Sequence, residues 1–296
     1  MNFKKFVLGG VAATAAFTAG ATEGGGSIYP VGSENFVCCA LPPPGLYGIV
    51  YAESYSTDKV RGDDGQVVTP PSFRVQATAI APRLIWVTKG IAGADAFGLH
   101  MILPIVDLDV HVVPGVAQQK TGVGDIVFGP FLGWHHSANL HTVAAVDFFA
   151  PTGGYSKADV ANIGTNHWAV QPIFGISYID PTGPNADAKV MYTFNLRNDA
   201  THYRSGQELI VDYDAGWGFG HGITAGIGGY LYRQTTDDTN DAGHVANNRG
   251  KAIAVGPSFR YDSGKGWFVT AKYEVESQVR NRADGTAFWL KAVFPF

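Results

Sequence analysis

His202 and Ser205 stand three residues apart, and a hydroxyl beside an imidazole is the pair that a hydrolase or acyltransferase uses for nucleophilic attack. His135, His136 and Ser137 repeat the pairing, with His141 close behind. Neither place supplies an orienting third group, and neighbours in sequence seldom face each other as nucleophile and base. A lipid-modifying enzyme is therefore the least favoured reading, and no catalytic residue is assigned. His135 and His141 could meet across a hairpin, but two imidazoles without a carboxylate make a poor metal site. Asp237, Asp238 and Asp241 in the 236–249 segment could gather round a divalent cation, as any solvated acidic loop could. The two cysteines, Cys38 and Cys39, are adjacent. They form a vicinal disulfide or stay reduced, and they build no long-range framework. Gly226-Ile-Gly-Gly229 lacks the lysine and the strand-to-helix setting of a phosphate loop. The chain calls for no metal and no cofactor.

The charged residues with informative spacing recur at every second position. In 187–198, Lys189, Thr193, Asn195 and Arg197 alternate with Val190, Tyr192, Phe194 and Leu196. In 207–219, Glu208, Asp212 and Asp214 oppose Leu209, Val211, Tyr213 and Trp217. In 266–277, Lys272, Glu274 and Glu276 oppose Val269, Tyr273 and Val275. The final stretch behaves alike: Phe288, Leu290, Ala292, Phe294 and Phe296 share one face, with Trp289 and Lys291 on the other. Period-two alternation over such lengths is the pattern of strands with one apolar face. Turned outward against hydrocarbon, that face makes a transmembrane barrel, which has no open sheet edge.

With the apolar side outward, the lumen receives Glu53, Arg83, His100, Asp125 and Asp147 from the first half of the chain. From the second half it receives Lys189, Arg197, Asp212, Asp214, Arg260, Lys272, Glu274, Glu276 and Lys291. Phe131, Tyr230 and Tyr232 fall on the same side and make the wall mixed rather than uniformly polar. Any one of these charges could simply be paired filling, since buried charges must be paired to be tolerated. Twelve strands enclose more space than side chains alone fill, so the set as a whole is expected to line a path.

The fold class is all-β, a twelve-stranded antiparallel transmembrane β-barrel. Strands are expected at 45–56, 73–87, 96–107, 123–135, 139–149, 167–179, 187–198, 207–219, 223–235, 250–262, 266–277 and 285–296. Loops at 57–72, 108–122, 150–166, 199–206, 236–249 and 278–284 are mostly long, and the alternate connections are mostly short turns such as His136-Ser-Ala138 and Gly220-His-Gly222. Short turns on the periplasmic side and longer extracellular loops are the asymmetry of this barrel class. Trp86, Trp134, Trp168, Trp217, Tyr178 and Tyr261 fall near strand ends on the apolar side, as an aromatic girdle requires. Pro82, Pro104, Pro130, Pro172 and Pro257 fall inside strands, where a missing N–H marks a bulge, a local opening or a misplaced strand.

The first residues read as an export signal over 1–21: Lys4 and Lys5, an apolar run to Phe17, then small residues to Ala21. Removing them takes two of the 21 basic residues and none of the 25 acidic ones, leaving a net charge of −6. That balance argues against nucleic acid as a partner. No later stretch is long and apolar enough for a spanning helix. Residues 22–44 alternate in neither period. They either hang as a tail or lie inside the barrel as a partial plug, and Ile28, Tyr29, Val31, Phe36, Val37 and Leu41 favour packing. The barrel occupies 45–296.

Three stretches carry a resemblance to a known family: Thr121-Gly-Val-Gly-Asp-Ile126 at a strand entry, Phe149-Ala-Pro-Thr-Gly-Gly-Tyr155 at a strand exit, and Gly266-Trp-Phe-Val-Thr-Ala-Lys-Tyr-Glu-Val275. In this order, and over roughly residue 45 to the terminus, the chain resembles the outer-membrane channels of the phenol meta-cleavage, or MetA, pathway transporter-like family. The resemblance implies a monomeric twelve-stranded barrel in the Gram-negative outer membrane that passes small hydrophobic compounds. The residues themselves point to passive diffusion of small hydrophobic or amphipathic solutes, aromatic ones included, without enzymatic chemistry. The alternative is a structural or adhesive barrel with a filled lumen, and, less favoured, an outer-membrane lipid-modifying enzyme. Expected partners are the bilayer and lipopolysaccharide, the solute, and the barrel-assembly machinery through the strand ending at Phe296.

Overall fold

In the computed structural model, residue 23 and residues 25–296 are described, and the expected export signal lies outside the described residues. Eighteen strands follow the segment 25–44. They are β1 (Gly45–Thr57), β2 (Val60–Arg61), β3 (Arg74–Lys89), β4 (Ala96–Ile102), β5 (Ile105–Val113), β6 (Val116–Val123), β7 (Ile126–His135), β8 (Leu140–Ala150) and β9 (Ala169–Tyr178). The rest are β10 (Pro184–Asn195), β11 (Glu208–Gly220), β12 (Ile223–Gln234), β13 (Asp238–Asn240), β14 (Gly243–Val245), β15 (Lys251–Asp262), β16 (Phe268–Arg280), β17 (Arg282–Ala283) and β18 (Thr286–Pro295). Every pairing is antiparallel, and β1 closes the wall by pairing with β18 on one side and β3 on the other. β4 and β5 share the third stave, both paired to β3, so the closed wall has twelve staves.

The polarity of that wall follows the period-two reading. Phe194 and Val269 are 46% and 37% exposed on the outside, whereas Asp212 and Lys272 are 2% and 1% exposed within. Hydrocarbon-facing side chains look exposed because the bilayer is their partner. Trp86, Trp168, Trp217, Tyr178 and Tyr261 are outward and exposed near strand ends. Trp134 caps the neighbouring β3–β4 turn by donating from Nε1 to the Gly93 carbonyl at 2.9 Å.

The prolines do not bulge the wall. At Pro130, Pro172 and Pro257 the ladder lapses for a pair of residues and resumes in the same register. A missing N–H removes a bond without inserting a residue, so these are small openings. Register shifts occur elsewhere, between Gly218 and Gly220, between Lys251 and Ile253, and between His111 and Val113.

Pro104 does more. The third stave breaks there, with Leu103 N donating to the Pro82 carbonyl at 3.0 Å, and the fourth breaks beside it at Gly124–Asp125, where Gly124 N donates to the Pro104 carbonyl at 2.8 Å. Beyond the break, the expected loop 108–122 is largely strand: β5 and β6 form a hairpin that extends the wall past the end of β8. Alternation in Val106-Asp-Leu-Asp-Val-His-Val112 continues the strand, and the turn is confined to Pro114–Gly115. Along β5 the polarity reverses. Asp107, Asp109 and His111 face outward with Arg74 and Gln76, while Val106, Leu108, Val110 and Val112 face inward with Val75, Ala77 and Ala79.

Candidate functional site

Residues 25–44 have neither helix nor strand, so the backbone donors of this buried segment need partners from the wall. The lumen-facing acids supply them. Asp212 of β11 accepts from Gly32 N at 3.0 Å, Glu34 N at 3.1 Å and the Tyr29 hydroxyl at 2.7 Å. Asp187 of β10 accepts from Cys38 N at 3.1 Å, and Ser177 of β9 accepts from Cys39 N at 3.0 Å. Cations take the carbonyls: Lys272 donates to Glu34 O at 2.6 Å, and Lys291 donates to Asn35 O at 3.3 Å. Phe36 is wholly buried. The segment therefore sits inside the barrel, tied to staves on several sides.

Its centre is Glu34, the one charged residue between 25 and 44. Its carboxylate lies 3.2 Å from Lys291 Nζ of β18, and 3.6 Å from both Arg83 Nη1 of β3 and Lys189 Nζ of β10. The Tyr51 hydroxyl of β1 donates to the same group at 3.1 Å. Burial pushes the Glu34 carboxyl up, but the facing charges of Lys291, Lys189 and Arg83 outweigh it and hold it well below the usual carboxylate range. Room for the segment comes from lumen-side glycines. A Cβ at Gly175 would collide with the Cys39 sulfur, and one at Gly133 with the Leu41 side chain. Cys38 and Cys39 are joined as a vicinal disulfide.

A second cluster lies toward the extracellular side. Glu276 accepts from the hydroxyls of Tyr230 and Tyr55 and from Gly285 N, the last two at 3.2 and 2.6 Å. Glu208 accepts from Tyr232 at 2.8 Å and from Ser27 of the segment at 2.9 Å. The Arg282 guanidinium stacks 4.3 Å from the Tyr232 ring centroid. Glu53, Glu274 and Trp289 border the same space, with Lys272 Nζ 3.0 Å from Glu274.

Two cavities share the lumen. The outer one, about 740 Å³, is bounded by the inward apolar row of β3 and β5, by Tyr51, Tyr55 and Tyr230, and by the segment. The inner one, about 180 Å³, is bounded by the disulfide, Leu41, Tyr47, Ile49, Ile85, Phe131 and Val143. Glu34, Tyr51, Arg83, Asp147 and Lys189 border both, so the ionic knot round Glu34 is the partition. His100 supports the partition by bonding Asp147 at 2.8 Å.

Most of the expected lumen residues fall on the inner face, with different duties. Arg83, Lys189, Asp212, Lys272 and Lys291 converge on the segment. Asp214 and Arg260 are also buried there, Arg260 pairing with Asp262 at 3.1 Å. Asp125 is buried at the wall break. It accepts from Gly153 N and Thr165 N, both at 2.8 Å, pinning the loop after β8. Arg197 is a correction: β10 ends at Asn195, and Arg197 lies exposed in an outer loop at 2.5 Å from Asp241. Strand alternation cannot carry past the residue where the ladder stops. Glu34 and Arg282 were missed because the first lies outside any strand and the second in an expected loop, whereas Tyr51, two residues from Glu53 on the same inward face, was within reach of the period-two reading.

Among the described residues the competing chemistry finds no assembled site. Ser205 is buried, its oxygen accepting from Glu23 N at 3.2 Å, while His202 bonds Asp241 at 2.6 Å. His135 and His141 do meet, Nδ1 to Nδ1 at 2.7 Å. Among the described residues no three potential ligands gather round a point that could hold a metal. The loop acids are dispersed among separate partners: Asp237 with Arg249, Asp241 with Arg197, and Asp238 with Tyr203, Gly206 N and Asn248.

Comparison with known proteins bears on residues 57–292, which match the family described as "Putative MetA-pathway of phenol degradation". No curated protein sequence matches. Among solved structures, an outer-membrane channel from Pseudomonas putida F1 superposes with a TM-score of 0.78 at 18% identity, covering 89% of this chain and 99% of that one. The transport unit of an Escherichia coli autotransporter gives a TM-score of 0.47 at 9% identity, covering 85% and 90%. A monoaromatic hydrocarbon channel gives 0.45 at 9% identity, covering 86% and 89%. The first of these shows a shared barrel fold.

Proposed function

The chain belongs to the MetA-pathway family of phenol degradation, and on that premise we propose that it is a monomeric outer-membrane channel for passive uptake of small hydrophobic or amphipathic solutes, aromatic ones among them. The observation that carries this reading is the outer cavity. Its size suits a small organic molecule, and it combines one apolar wall with a few converging polar groups. Small apolar residues on β3 and β5 accept the greasy part of a solute, while Tyr55, Tyr230 and the carboxylates of Glu53 and Glu276 orient its polar end. Residues 25–44 serve as a partial plug beneath it. The closing strand, with Phe296 exposed and its N–H donating to the Leu46 carbonyl at 3.1 Å, is assigned to recognition by the barrel-assembly machinery.

Liposome swelling tests the reading. A phenyl glycoside should enter faster than a sugar of equal size, and Leu108→Asp should remove that preference without unfolding the barrel. If correctly folded protein admits no small solute, with or without residues 22–44, the channel reading fails. The structural or adhesive barrel would then stand, supported by the packing of Phe36 in the lumen.

A further inference from the structure

Arg233, Lys251 and Arg280 occupy neighbouring strands in one cross-strand row. Arg233 of β12 lies directly opposite Lys251 of β15, and Lys251 directly opposite Arg280 of β16. All three share the outer face of the wall, the face of Leu231, Val255 and Val275, which are exposed apolar residues. Arg233 and Arg280 are exposed, and Lys251 is half-buried.

Like charges directly opposite on adjacent strands repel and weaken a sheet. Here two such pairs adjoin, in a chain whose net charge is negative. The protein offers little relief. Among the described residues no ion pair reaches any of the three cations, and Lys251 Nζ donates to the neutral Gln278 at 2.8 Å. Asp64 lies near enough to Arg280 to feel its charge but bonds Gln66 N at 3.0 Å instead.

The height of the row fixes what it meets. β12 makes ten residue steps from Ile223 at the short turn to Arg233. At about 3.3 Å per residue and a tilt of about 40°, that is roughly 25 Å, the height of the apolar band of such barrels. The cations therefore stand at the outer boundary of the hydrocarbon, where headgroup phosphates lie.

We propose that Arg233, Lys251 and Arg280 form a binding site for the phosphorylated headgroup of lipopolysaccharide, with its acyl chains lying along Leu231, Val255 and Val275. The site is on the membrane side of the wall and is independent of the lumen.

Native mass spectrometry of the intact barrel in detergent, titrated with lipid A, tests it. The wild-type protein should bind lipid A and should hold dephosphorylated lipid A far more weakly. Each of Arg233→Gln, Lys251→Gln and Arg280→Gln should weaken lipid A binding about five-fold, and the triple variant on the order of 100-fold. Lys265→Gln, in a periplasmic turn, should change nothing. Equal binding by wild type and triple variant would overturn the proposal. So would equal binding of the dephosphorylated lipid, a matching loss in Lys265→Gln, or inorganic pyrophosphate binding the row as tightly as lipid A does. Should the triple variant fail to fold, as judged by heat-modifiable mobility, the single variants decide the matter in the same assay.

Discussion

Replacing Glu34 by glutamine should open the channel. The substitution keeps the side chain's length and its acceptor for Tyr51, but it removes the carboxylate that stands at ion-pair distance from Lys291, Lys189 and Arg83, at 3.2, 3.6 and 3.6 Å. All four groups are largely screened from solvent. Removing one partner of a buried pair leaves the other as an uncompensated charge, at a cost of about 3–5 kcal/mol. That penalty falls on the state with the segment in place, because a displaced segment lets water reach the three cations. At 1.4 kcal/mol per factor of ten, the ratio of displaced to seated segment should rise by roughly two to three and a half powers of ten. Planar-bilayer recording reads this directly. The wild type should show small, steady conductance, Glu34→Gln should show frequent large openings, and deletion of residues 22–44 should set the upper limit. If Glu34→Gln conducts like the wild type while the deletion opens the pore, the ionic knot is not what holds the segment, and the argument from charge fails.

The same geometry makes three further predictions. Gly175→Val should drive its side chain into the Cys39 sulfur, cost about 1–3 kcal/mol in seating the segment, and raise swelling rates with the barrel still heat-modifiable. Because the Glu34 pKa is depressed, its stabilising contribution is present above the ordinary value of 4.5 and is lost only as pH falls through the lower folded value. The share of closure that Glu34 supplies should therefore be the same at pH 7 and at about 4.5, read as an equal conductance difference between wild type and Glu34→Gln at the two values. Asp125→Ala should leave Gly153 N and Thr165 N without an acceptor, loosen the loop after β8 by about 1–3 kcal/mol, and speed its cleavage in limited proteolysis.

The barrel was legible because its pattern is local. Lys189, Asp212 and Lys272 each sit two residues from the next inward side chain, and period two assigns a face without knowledge of any partner. The same rule found Asp125 and Phe131. It overran at Arg197, two residues past the end of β10, and it fell short at 108–122, where Asp109 and His111 looked like loop composition. They are strand residues whose outward face has left the hydrocarbon, so the sign of the pattern changed while its period did not. The partition was hidden for a different reason. Glu34 belongs to no periodic element, and only the closed wall brings β1, β3, β10 and β18 round it. The motifs Gly124-Asp125 and Pro151-Thr-Gly153 could be seen separately, but not that they bond to each other across the break in the wall.

That break accounts for how one sheet can serve two solvents. Below Pro104 the wall must show hydrocarbon its apolar side, and the polar side is left to bind the segment. Above it, β5 stands in water, so its apolar side is free to turn inward, and Val106, Leu108 and Val110 do so. The upper lumen thereby becomes the place where a hydrophobic solute gains most by leaving water, at about 25 cal/mol for each Å² it buries. The next step inward is the reverse: Glu34, Arg83 and Lys189 would have to lose their mutual contacts to an apolar neighbour, which cannot replace them. A molecule that fills a cavity of about 740 Å³ also does not fit one of about 180 Å³. The two cavities can belong to one path only if the segment that borders both of them shifts, and the charges round Glu34 then set how often it does.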